Sequence, residues 1–96
     1  MNSTITTQKL EQYFKITKEA LDQVKGNLDL ERKKQAEEVL DMAQRYYDDA
    51  NHFLAEKKDA VLAFAALNYA HGWLDAGARM GLFKVNDSRL FTVDEK

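Results

Sequence analysis

Four polar residues, Asn68, His71, Asp75 and Arg79, recur at intervals of three, four and four. In a helix that spacing brings all four side chains onto one face. His71 and Asp75 can then share a hydrogen bond, and Asp75 and Arg79 can pair one turn apart. A carboxylate beside an imidazole is a recurrent element of acid–base sites, because it orients the ring and favours its charged form. The same residues also read as the solvated edge of an otherwise apolar helix, where a surface ion pair is worth well under ~1 kcal/mol. The solvated edge is the simpler account. The strip stands as a candidate binding site, and no residue is assigned a catalytic role.

A second pair, Arg45 and His52, encloses the six residues 46–51. An arginine followed by four to six residues and a histidine resembles the active-site motif of HEPN ribonucleases, which are small helical dimers. That resemblance implies an alternative function, an RNA-processing or nucleotide-binding protein. Seven residues make two helical turns, so both side chains share a face, opposite the apolar seam of their segment. Two exposed polar residues remain the plainer account. His52 with Asp48 and Asp49 also has helical ligand spacing, yet bundle metal sites need carboxylates and histidines projecting into the core. Here the seam is Ala, Leu, Tyr and Phe, and two histidines without cysteine suit zinc poorly. No metal site and no cofactor are expected. Tyr46, Tyr47 and Trp73 have faces on which bases could stack, but at helical spacing among alanines they read as core.

These residues sit on three expected helices. The first spans about 6–25, starting at Thr6 or Thr7, with Leu10, Tyr13, Phe14, Thr17, Ala20, Leu21 and Val24 on one face. Gly26-Asn27 should end it through the left-handed conformation that both residues tolerate. The second, about 30–56, opens at Asp29 and carries the heptad seam Ala36, Leu40, Ala43, Tyr47, Ala50, Leu54, widened by Val39, Tyr46 and Phe53. Lys57-Lys58-Asp59 is a short turn, so the third helix, about 60–82, should return antiparallel. Its alanines and glycines are expected against the alanine seam of the second helix. The tail 84–96 is too polar to form a core of its own. Leu90, Phe91 and Val93 are the residues that would fold it back, with disorder expected from about Asp94.

The third helix is apolar over an arc of about 200° at 100° per residue, more than one neighbour requires. Leu62, Tyr69, Trp73 and Met80 form a flank for which the first helix is the nearest cover and a second subunit the next. They are the candidate interface residues.

Composition bounds the remaining choices. Ninety-six residues make one domain, 1–96, with 45% hydrophobic and 31% charged residues. Without proline, and with four glycines, little interrupts helix formation, so the fold class is all-α: an antiparallel three-helix bundle with a long hairpin and a short C-terminal tail. Fourteen basic against sixteen acidic residues leave a net charge of −2, which disfavours nucleic acid as a partner. There is no cysteine, no signal-peptide pattern and no apolar run near the roughly 20 residues a membrane span needs. A soluble cytoplasmic protein is expected.

The run AALNYAHGWLDAGARMGLF, residues 65–83, resembles a family of small helical proteins known as domain of unknown function 357. The segment from Ala43 to Leu54, with Tyr46-Tyr47-Asp48-Asp49-Ala50, looks like the other half of that family's helical hairpin. The resemblance implies a compact helical fold and an archaeal origin, and it supplies no activity. From the over-wide apolar arc the expected function is a non-enzymatic interaction module, forming a homodimer or other homo-oligomer or docking a protein partner.

Overall fold

The structure is a computed structural model that describes residues 6–91. The first helix, α1, spans Thr7–Lys25, and Thr6 caps it by accepting the Lys9 N–H at 3.1 Å. Leu10, Thr17, Ala20, Leu21 and Val24 are buried along its inner face, as the spacing predicts. Its end differs from expectation. Gly26 has φ −95°, not the left-handed conformation, and the stop comes from Asn27. The Asn27 side chain donates to the Gln23 carbonyl at 2.7 Å while its backbone N–H reaches the Val24 carbonyl at 2.9 Å.

Asp29 opens the second element, accepting the Glu31 N–H at 3.1 Å, but the first turn is a 3-10 turn over Leu30–Arg32. The α-helix proper, α2, spans Lys33–Ala55. Ala36, Ala43 and Ala50 are completely buried and Leu40 and Tyr47 half-buried, so the heptad seam is real over most of its length. It runs out at Leu54, 39% exposed in the last turn. Lys58, at φ 51°, and Asp59, which accepts the Leu62 N–H at 2.9 Å, make the turn into α3, Ala60–Arg79. The α2–α3 hairpin is the closest helix pair, and α1 packs across it.

Helix α3 is shorter than the expected 60–82. Gly81 adopts φ 77° and stops it, with its N–H on the Ala78 carbonyl and the Leu82 N–H returning to the Gly77 carbonyl at 2.9 Å. This closing pattern needs the left-handed backbone that glycine adopts most readily. The chain then turns back. Leu28 and Phe83 form an antiparallel bridge, flanked by Asp29 N–H to the Leu82 carbonyl (2.8 Å) and Lys84 N–H to the Asn27 carbonyl (2.7 Å). Arg32 pins the junction, donating to the Met80 carbonyl at 2.9 Å and to Asp29 at 3.1 Å.

Two apolar clusters hold the molecule together. One joins Leu10 of α1 with Ala50 of α2 and Ala63, Ala66 and Leu67 of α3. The other gathers Leu21 and Val24, Ala36 and Ala43, and Leu74 with four residues from beyond α3: Leu82, Phe83, Leu90 and Phe91. The C-terminal segment therefore builds core. Each of its four buried side chains contributes at most ~2–3 kcal/mol of burial free energy. Leu90 and Phe91 fold back as expected; Val93 and the disorder expected from Asp94 lie outside the described residues. A Cβ at Gly77 would meet the Phe83 ring, and Gly72 faces open space, so the glycine contact expected with α2 fails at Gly72.

Candidate functional site

Asn68, His71 and Asp75 line one wall of an open groove of about 580 Å³, opposite Tyr13 and Ile16 of α1. The turn 88–91 closes one side, bringing Ser88 and Arg89 to the same groove. Hydrogen bonds from the Leu90 and Phe91 N–H groups to the Asp87 carbonyl shape that turn, and Gln23 donates to the Asp87 carboxylate at 3.2 Å. Arg79 is exposed at the last turn of α3 and is not part of the groove wall. Sequence reasoning missed Ser88 and Arg89, because nothing local ties the tail to α3; the turn chemistry of Asn86-Asp87-Ser88 was the available signal.

His71 is half-buried, and burial lowers its pKa below the ordinary 6.5, with the nearby Asp75 charge opposing the shift. It is thus held toward its neutral form. Arg89 pairs with Glu19 and also contacts Asp87 at 3.4 Å, and these carboxylates raise its pKa. Serine, histidine and aspartate all face the groove. Among the described residues, however, no hydrogen bond links Ser88 to His71, so they do not form an assembled proton relay. The groove can accept a polar group.

Arg45 and His52 are both exposed on α2. The Arg45 guanidinium engages Asp41 at 2.8 Å, and the His52 ring lies 6.2 Å from that of Phe53. Gln44 donates to Asp48 at 3.0 Å. Among the described residues no three His, Asp or Glu side chains gather to hold a metal, and no helix is long and apolar enough to cross a membrane.

The third region is the outer face of α3. Helix α1 does not cover it, because the Tyr13 ring packs edge-on against Phe64 at 4.8 Å and Phe14 against Tyr47 at 6.0 Å, elsewhere on the hairpin. Leu62, Tyr69 and Met80 consequently stay 45%, 62% and 59% exposed. Trp73, the fourth interface candidate, is half-buried and packs partly on the inner core. Tyr46 of α2 stacks on Tyr69 with ring centroids 5.2 Å apart and an angle of 22°. Beside Tyr69 lies a shallow notch of about 290 Å³ bounded by Gly72, Trp73 and Ala76. A Cβ at Gly72 would meet nothing within 4 Å. Residues Leu62, Ala65, Tyr69, Gly72 and Ala76 follow a three–four alternation, a second heptad seam on the outside of the helix.

A family model described as "Protein of unknown function (DUF357)" matches residues 12–83, which takes in most of α1, the whole hairpin and Phe83 on Gly77. No curated protein and no solved structure matches the chain. The chain belongs to the DUF357 family.

Proposed function

We propose that this member of the DUF357 family is a non-enzymatic self-association module whose outer α3 face pairs with the same face of a second copy. One observation carries the reading: Leu62, Tyr69 and Met80 are exposed along the outer face of α3, which α1 does not cover. The patch amounts to roughly 400 Å² from side-chain size, at the level where interaction sites become common. Two such patches, with the Tyr46 flank of α2, approach the ~1,000 Å² that a specific interface needs. Pairing would bring two α2–α3 hairpins together as four helices around a shared seam.

The test is the mass of the Tyr69→Ser variant by light scattering after gel filtration. A dimeric wild type and a monomeric variant with unchanged helical circular dichroism support the proposal. A dimer that Tyr69→Ser leaves intact sinks it. A protein partner on this face, or the nucleotide reading of Arg45 and His52, would instead appear as a monomer with a bound mass in native mass spectrometry.

A further inference from the structure

We infer that the two copies pair antiparallel, each Tyr69 ring seating in the notch at the partner's Gly72. This rests on the self-association reading and specifies its geometry. The exposed seam places large and small side chains in a definite order: Leu62, Ala65, Tyr69, Gly72, Ala76. A parallel pair would set Tyr69 against Tyr69 and Gly72 against Gly72, crowding one layer and leaving the next empty. An antiparallel pair centred between Tyr69 and Gly72 removes both problems. In that register Tyr69 meets the partner's Gly72 twice by symmetry, and Ala65 meets the partner's Ala76 twice. Large residues face small ones at the centre, and the alanine layers allow helix axes about 8 Å apart.

Towards the ends, the same register sets Leu62, 45% exposed, across from the stem of the partner's Arg79, with Met80, 59% exposed, on the flank beside it. Almost the whole of α3, Ala60–Arg79, then overlaps its mate. Shifting by one heptad in either direction leaves a third of the seam unpaired and separates Tyr69 from the notch. The receiving site also exists before pairing: the notch is open at Gly72. The Tyr46 stack holds the Tyr69 ring in place, which reduces the ordering cost of inserting it. A mid-helix glycine is itself unfavourable by up to ~1 kcal/mol relative to alanine, and the incoming ring supplies the reason for it.

The chain has no cysteine, which makes disulfide trapping clean. Three variants decide the register: Ala65→Cys, Ala76→Cys and the double variant carrying both. Residues 65 and 76 are about 16 Å apart along one helix, too far for an internal disulfide. On mild oxidation the double variant is expected to convert largely to a covalent dimer on non-reducing gels, while each single variant stays uncrosslinked. Cross-linking of each single variant as complete as that of the double variant would show a parallel pair and overturn the inference. A dimer by light scattering in which the double variant fails to cross-link overturns the register while leaving self-association intact. A wild type that is monomeric overturns both. Gly72→Leu gives an independent reading of the seat: filling the notch should weaken dimerisation at least tenfold, and undiminished dimerisation refutes the Tyr69–Gly72 contact.

Discussion

Replacing Gly77 with alanine should destabilise the protein although alanine is the better helix former. A methyl at this position would lie 2.5 Å from Cδ2 and 2.8 Å from Cζ of the Phe83 ring, and closer still to Cε2. Phe83 is 1% exposed and bridges to Leu28, so its ring has little room to withdraw. Overpacking of this kind costs about 1–3 kcal/mol, and full expulsion of the ring about 3–5 kcal/mol. The gain in helix propensity returns about 1 kcal/mol. The net expectation is a loss of up to about 2 kcal/mol if the ring shifts and about 2–4 kcal/mol if it is expelled, read as a lower urea midpoint at unchanged slope. The sign should reverse when the ring is absent. In a Phe83→Ala background, Gly77→Ala should stabilise by up to ~1 kcal/mol, because only the propensity difference remains. A Gly77→Ala protein as stable as wild type, or one showing no coupling to Phe83, would refute the claim that this glycine exists to admit the ring.

Further outcomes follow from the same contacts. Gly81→Ala forces a side chain into φ 77°, with its Cβ 2.9 Å from the Arg32 guanidinium, and should cost about 1–2 kcal/mol by urea denaturation. Thr17 is wholly buried and its hydroxyl has no partner among the described residues, so the near-isosteric Thr17→Val should raise stability by about 1 kcal/mol. The pKa values of Asp29 and Asp87 are lowered below the ordinary 3.8, Asp29 first by the Glu31 N–H and Asp87 first by the Gln23 amide. A depressed folded value gives stability that is present above the unfolded pKa and lost as pH falls through the folded one. Urea midpoints should therefore drop on acidification below about pH 4, and less steeply for Asp29→Asn.

The all-α fold, the hairpin and the inner faces were legible because each is written in local periodicity. The seven-residue recurrence of Ala36, Ala43 and Ala50 and the Leu10–Val24 face needed only helical geometry to interpret. Periodicity reports that a face is apolar, but it does not report what covers it. That is why the alanines and glycines of α3 were expected together against α2, whereas Gly77 admits a ring from the tail and Gly72 faces outward. The long apolar run also concealed the helix stop at Gly81, since Leu82 and Phe83 continue the pattern although the backbone has turned. The candidate groove was half legible. Asn68, His71 and Asp75 share a wall as their spacing predicts, while Ser88 and Arg89 reach it through a return of the chain that no local pattern encodes. Gly26 misled in a smaller way: its type allows the left-handed conformation, but Asn27 closed the helix without it.

Sedimentation equilibrium of the wild-type chain across a wide concentration range tests the central claim most directly. The account predicts a reversible rise from the 11.0 kDa chain mass toward twice that value, fitted by a single monomer–dimer equilibrium. A mass that stays at 11.0 kDa throughout would contradict it and leave the exposed face of α3 without the role assigned to it.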